Sequence, residues 1–297
     1  MAALYCVLLL ALLCEIHARP VEDAEMEAYK AEHPEEFGDK FEGDMVVEPG
    51  FRNGIINRNQ LWPNGVVHYT IDRGFSSRDI ANINAAIADY NRYTCIKWVK
   101  RTNQRAYVRI FVGGGCFSSI GMSGGRQDLS LGQGCTGKAT VIHEMLHALG
   151  FVHEQSRTDR DDHIIVQWNN IQQDMRFNFN KHGSNYISLL NTPYDYGSVM
   201  QYGRKAFSFN GRDTMVPRRA GVAQLGQRIG FSKLDIERVN KLYSCQGGGG
   251  GVRPVNPPIT NPCTDSDPNC PYWKSVGECY YNPGWMLPNC RRSCNQC

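Results

Sequence analysis

The sequence predicts an α+β domain over residues 53–245, with a small disulfide-rich module behind it. Two β-branched and aromatic segments, GVVHYTID (65–72) and AYVRIFVG (106–113), have strand character. Helical periodicity runs through residues 77–94, 138–150 and 232–243. Six of the twelve cysteines crowd between Cys263 and Cys297, too densely for a free-thiol domain. With 297 residues, 41% of them hydrophobic, the chain is long enough to bury a sizeable core.

In chain order, MAALYCVLLLALLCEIHA (1–18) is a short apolar run ending in small residues and reads as a secretory signal peptide. It is too short to span a bilayer comfortably, and nothing similar follows it. Residues 19–52 form an acidic leader. Between Val21 and Arg52, 11 acidic side chains stand against 3 basic ones, net −8; from Asn53 onward 28 Lys and Arg stand against 17 Asp and Glu, net +11. That contrast suits a leader that docks on a basic body and is later removed. No nucleic-acid motif accompanies the basic charge, so the reading carries no nucleic-acid partner.

Within the domain, SRDIANINAAIADYNRYT (77–94) places Ile80, Ile83, Ile87 and Tyr90 on one stripe behind a serine start. SKLDIERVNKLY (232–243) opens with the capping-box pair Ser232 and Asp235, its apolar stripe being Ile236, Val239 and Leu242. Between them KATVIHEMLHALG reads as a helix that Gly150 stops. QGGGGGVRPVNPPITNP (246–262) is a Gly/Pro linker unable to build a core, and residues 263–297 form a separate module. In an exported chain, ten cysteines in groups of four and six suit disulfides better than zinc.

HEMLHALGFVH (143–153) carries the chemistry. His143 and His147 lie one turn apart on one helical face, where two imidazoles can share a zinc ion. Gly150 allows the turn that brings His153 as a third ligand. Three protein nitrogens leave a position for water, as a catalytic site requires. Glu144 swings round the helix, clear of the metal, and suits a general base. Downstream, YDYGSVMQY (194–202) supplies Met200 in a tight turn of the kind metzincins place beneath such a metal.

With these motifs in order, residues 41–245 resemble the astacin family of zinc metalloproteases, and HEMLHALGFVHEQSRTDRD (143–161) matches its extended signature. The resemblance implies a two-subdomain metzincin fold with an active-site cleft, one Zn²⁺ per chain, and a secreted endopeptidase made as a zymogen. It implies Tyr202 as a donor to the transition-state oxyanion, and Cys95–Cys245 and Cys116–Cys135 as disulfides; the cysteine count alone permits three pairings. Gln201 departs from the histidine common at that place. FEGDM (41–45) resembles the family's latency motif, with Asp44 at the position of the catalytic water. GFRNGIINRNQLWPNG resembles the activation junction, cut at Arg52–Asn53 by another protease, after which Asn53 would pair with Glu154. A preference for acidic residues after the scissile bond would need a basic wall, for which Arg218 and Arg228 are the candidates.

The tail reads C-x6-C-x8-C-x10-C-x3-C-x2-C and resembles the ShKT module. This implies the pairs Cys263–Cys297, Cys270–Cys290 and Cys279–Cys294. Gly284 and Trp285 stand where channel-blocking members carry Lys and Tyr, which argues against channel block. Tyr280, Tyr281 and Trp285 offer an aromatic patch for substrate or matrix, or form the module's own core. Secreted proteases of cnidarians and nematodes pair the same two modules. Protein and peptide substrates, extracellular matrix among them, are the expected partners. The rival reading is a binding protein whose tail dominates, with the protease fold as carrier.

Overall fold

The computed structural model describes residues 21–47, 58–183, 187–222, 224–245 and, in the tail, 264–275, 279, 286 and 289–295. The signal, the Arg52–Asn53 junction, the linker and Tyr280, Tyr281, Gly284 and Trp285 lie outside these residues.

The leader is folded. Helix α1 (Val21–Glu32) leads through a short 3₁₀ turn (Pro34–Phe37) to strand β1 (Met45–Val46). The upper subdomain is a six-stranded sheet of β1, β2 (Val66–Ile71), β3 (Lys97–Lys100), β4 (Tyr107–Phe111), β5 (Cys116–Ser119) and β6 (Arg126–Leu131), in the order β1-β5-β6-β4-β2-β3. Only β5 and β6 run antiparallel. The segments read as strands thus become two central neighbours, while the leader's β1 covers the edge at β5.

Helix α2 (Ser77–Tyr93) starts from a capping box between Ser76 and Asp79. It buries Ile83, Ala86, Ile87 and Tyr90, with Ile80 half-buried. Helix α3 (Lys138–Ala148) buries all ten residues from Ala139 to Ala148. An interior helix is apolar on all sides, so the histidines and glutamate it carries stand out as polar groups in a dry setting. Tyr90 Oη donates to Ile142 O at 3.0 Å and Trp62 Nε1 to Ala148 O at 2.8 Å, pinning α3 to α2 and to the start of the domain.

The lower subdomain holds a two-stranded ribbon of β7 (Ile164–Val166) and β8 (Met215–Pro217), and a second apolar cluster around Phe179, Tyr202 and Phe207. Helix α4 (Lys233–Leu242) packs Val239 back into the main core, with Ile236 and Leu242 half-buried. Cys95–Cys245 closes the domain and Cys116–Cys135 braces the β5–β6 hairpin. In the tail, α5 (Cys270–Ser275) is joined by Cys270–Cys290, and Cys279 pairs with Cys294. The pair Cys263–Cys297 falls outside the described residues. Tyr93 Oη donates to Asp267 at 2.8 Å, so the tail contacts the end of α2.

Candidate metal centre and cleft

Helix α3 ends in a motif that directs the third histidine. Gly150 takes φ +105°, a region that disfavours any side chain. Its N–H returns to His147 O at 2.8 Å and that of Phe151 to Leu146 O at 3.0 Å, the paired bonds of a Schellman stop. The reversed chain then carries His153 back beneath the helix.

All three histidines are fully buried. His143 Nδ1 lies 2.8 Å from Val199 O, His147 Nδ1 2.8 Å from Phe151 O, and His153 Nδ1 2.8 Å from a Glu42 carboxylate oxygen. With acceptors at every Nδ1, those nitrogens carry the protons and the Nε2 lone pairs face inward. His143 Nε2 lies 3.2 Å from the Nε2 of both His147 and His153. Three buried lone pairs aimed at one another repel unless a cation stands among them. Asp44 completes the set, its carboxylate 2.9 Å from His143 Nε2 and 3.3 Å from those of His147 and His153. The four ligand atoms lie within 4.8 Å of one another. Three neutral nitrogens and one carboxylate oxygen are a donor set that zinc accepts.

The electrostatics agree. Burial pulls His143 down to about 4 against the opposing pull of Asp44, which leaves its ring neutral at pH 7. Burial also works against charge on His153, but Asp44 and Glu42 outweigh it and push this ring up to about 10, so without a metal it keeps an Nε2 proton that a bound cation would displace. Burial opposes the charge on Asp44, yet the surrounding histidines hold its carboxyl well below the usual range. The pocket is built for positive charge.

Glu144 is fully buried, and neither carboxylate oxygen finds a hydrogen-bond partner among the described residues. Burial first, then the charges of Asp44 and Glu35, raise it well above the ordinary range. A buried carboxyl that holds its proton more tightly than usual, with its oxygens unclaimed, can serve as a general base or acid. Tyr202 packs against His153 with ring centroids 4.5 Å apart and the planes tilted by 51°, and its hydroxyl donates to Glu42 O at 2.5 Å. Met200 is buried, and its carbonyl accepts the Glu154 N–H at 3.0 Å. Gln201 is buried as well: Tyr194 Oη donates to its Oε1 at 2.5 Å, and its Nε2 donates to Tyr202 O at 3.0 Å. The unusual glutamine thus ties down the backbone that aims Tyr202.

Glu154 is already engaged from inside the domain. Both Arg238 terminal nitrogens donate to it, at 2.6 and 2.9 Å, and Asp195 N at 2.7 Å. A cavity of about 40 Å³ adjoins it, lined in part by Leu146, Met200 and Arg238. Arg52 and Asn53 lie outside the described residues.

The two candidate arginines differ. Arg218 Nε donates to Asp161 O at 2.7 Å on an exposed surface. Arg228 is buried under the leader: Nε donates to Glu35 at 2.6 Å, and a terminal nitrogen contacts both Glu35 and Glu36, the latter at 3.1 Å. Glu36 also accepts Gly203 N at 2.6 Å and Tyr29 Oη at 2.5 Å. Gly203 carries no side chain where Tyr29 sits; a Cβ there would stand 2.1 Å from the phenol oxygen. Gly43 of FEGD is needed for its φ of +86° and because a Cβ would come 2.6 Å from Glu35 O.

Two contributors escaped the sequence reading. Asp235 caps α4 and also accepts Ser198 Oγ at 2.6 Å and Val199 N at 2.9 Å, so it anchors the turn bearing Met200. Glu42, the variable letter of the latency motif, holds His153. The Asp235 capping signal is local, but neither its hold on the Met200 turn nor the hold of Glu42 on His153 has one, because both act on residues far along the chain.

A family model for the Astacin peptidases matches residues 54–244, and one for the ShK domain-like fold matches residues 262–297. Zinc metalloproteinase nas-15 of Caenorhabditis elegans is 44% identical over 276 residues, covering 82% of this chain and 48% of its own length. The chain thus spans about half of that relative. High choriolytic enzyme 1 of Oryzias latipes is 42% identical over 214 residues, 69% of this chain and 78% of that protein. The solved structure of that hatching enzyme zinc-protease superposes with a TM-score of 0.58 at 40% identity, covering 68% of this chain and all of the other. Among the described residues no helix is long and apolar enough to cross a membrane. Motif, geometry and likeness agree that the chain belongs to the astacin peptidase family, a family of zinc metalloendopeptidases, with an ShK-like module behind the protease domain.

Proposed function

We propose that the protein is a secreted zinc-dependent endopeptidase made as a zymogen, with residues 1–18 as signal, 19–52 as inhibitory leader and 53–245 as catalytic domain. The observation that carries the reading is the convergence of the His143, His147 and His153 Nε2 atoms beside the unclaimed Glu144 carboxylate. These three nitrogens hold zinc, which when bound supplies Lewis acidity and lowers the pKa of a coordinated water. Glu144 takes the proton from the attacking water and delivers it to the departing amine, so that one peptide bond and one water become a carboxyl and an amine. The Tyr202 hydroxyl donates to the oxyanion that develops on the scissile carbonyl. Met200 would form an apolar floor under a bound metal and is not a ligand.

The leader blocks the site twice. Asp44 stands at the fourth ligand position, and Glu42 O occupies the Tyr202 hydroxyl. A cut at Arg52–Asn53 by another protease releases both, and the new Asn53 amine joins Glu154, whose adjoining cavity gives it room. Arg228 supports a preference for acidic residues after the cut, because it already binds the leader's Glu35 and Glu36; this favours it over Arg218. Extracellular proteins, matrix included, are the substrates, and the ShK-like tail directs the enzyme to them.

The test is cleavage of a proteome-derived peptide library by the leader-free protein, with Glu144→Ala as control. Zinc-dependent cuts enriched in Asp or Glu after the scissile bond are expected. Equal cleavage by the control, or none by either, would sink the reading.

A further inference from the structure

The three histidines are not held alike. His143 and His147 give their Nδ1 protons to main-chain carbonyls of the domain itself, Val199 O and Phe151 O. His153 gives its Nδ1 proton to a carboxylate, and that carboxylate belongs to the leader. A carboxylate behind a ligating imidazole fixes the tautomer and makes the other nitrogen a better donor, an effect worth about 10- to 100-fold in metal affinity. We infer that Glu42 is a positioning residue for zinc, and that through His153 it makes the leader-bearing chain a tighter zinc binder than the same chain freed of its leader.

Glu42 is placed for that task at a cost. It is a non-glycine residue with φ +48°, a conformation that L side chains adopt rarely. Its backbone already has anchors in Asn178 Oδ1, which accepts its N–H at 3.0 Å, and in the Tyr202 hydroxyl. Those bonds would secure the strand with any side chain. The carboxylate is nevertheless fully buried, one oxygen on His153 and the other 2.8 Å from His182 Nε2, an approach too oblique for a hydrogen bond. A buried carboxylate without such partners would be strongly disfavoured. Its two partners are a histidine that faces the metal position and a second imidazole that steadies it. The zymogen would then gain zinc while the leader is in place, and cleavage would remove a ligand at Asp44 and loosen His153 in one step.

The inference rests on the zymogen reading above and is tested separately from it. Zinc dissociation constants of the intact zymogen, its Glu42→Gln and Asp44→Asn variants, and the leader-free protein are measured by competition with a chromophoric chelator. Glutamine keeps the shape and the backbone anchors but withdraws the negative charge. Glu42→Gln is expected to weaken zinc binding by about 10- to 100-fold, to shift the visible absorption of the cobalt-loaded zymogen, and to cost the leader more of its resistance to proteolysis in the zinc-loaded than in the metal-free protein. Zinc affinity within about twofold of the wild type would overturn the inference. A leader that loosens equally in metal-free and zinc-loaded protein would overturn it too, since Glu42 would then act only in docking. Failure of the zymogen reading shows elsewhere, as unchanged silence of the Asp44→Asn zymogen.

Discussion

Replacing Arg228 with methionine should uncouple the leader from the cleft and erase a taste for acidic substrates. The guanidinium is buried against Glu35 and Glu36, both fully buried themselves. Removing one member of a buried ion pair costs about 3–5 kcal/mol, because the partner charge stays behind uncompensated. A stranded carboxyl escapes part of this by taking a proton, at about 1.4 kcal/mol for each pH unit above an ordinary value near 4.3. Burial has already pushed Glu36 up to about 7 even with Arg228 present, so at neutral pH Glu36 has little further to lose. The loss falls mainly on Glu35 and is capped near ~4 kcal/mol at pH 7.4 and ~1 kcal/mol at pH 5. At about 1.4 kcal/mol per tenfold, leader binding should weaken by several hundredfold at pH 7.4 and less than tenfold at pH 5. The assay is inhibition of leader-free protein by a peptide of residues 21–47, at both pH values. A peptide with Glu35→Gln and Glu36→Gln should close the double-mutant cycle, binding both proteins nearly alike. Wild-type inhibition of the Arg228→Met protein to within threefold at pH 7.4 would refute the reasoning, as would an undiminished acidic preference.

Tyr202→Phe keeps the ring on His153 and loses the hydroxyl; kcat should fall by about 10²–10³ with KM within a few-fold, and an unchanged kcat would remove Tyr202 from catalysis. Glu154→Gln strands Arg238 and should destabilise the domain by about 3 kcal/mol, a fall of roughly 6–12 °C in Tm for a domain of this size; calorimetry showing less than 2 °C would contradict it. Acid should release the leader late. Burial raises docked Glu36 to about 7, so docking gains strength as pH falls from 7 to about 4.5. Burial and Arg228 lower docked His33 to about 2, so docking loses strength as pH falls below about 6.5. The two offset one another between about 6.5 and 4.5, and only losses remain below. Limited proteolysis should therefore find the leader protected at pH 5 and exposed below about pH 4; release at pH 6 would contradict the balance.

Much of the site was legible because its signals are local. His143, Glu144 and His147 sit on one helix whose periodicity fixes their faces, and Gly150 announces the turn that delivers His153. The capping pair Ser232 and Asp235 likewise marks the start of α4 within four residues. Relations between distant segments were not legible. Composition made the leader merely acidic, and no pattern separated Glu35, Glu36 and Glu42, which are buried, from Glu25 and Glu27, which are exposed. Their fate depends on partners 111 to 193 residues away: His153, Arg228 and Gly203. Arg218 and Arg228 looked equivalent, and only folding put one on an open surface and the other beneath the leader.

The sequence by itself determined the three histidines, the glutamate beside the first of them, the helix that presents them and the family, since all follow from residue type at short spacing. Tertiary structure alone decided which carboxylates leave water, which histidine they hold, and that Asp235 steadies the Met200 turn. Burial and electrostatic pairing are properties of surfaces brought together from remote segments. A linear pattern can supply the charges, but it does not say which of them will meet.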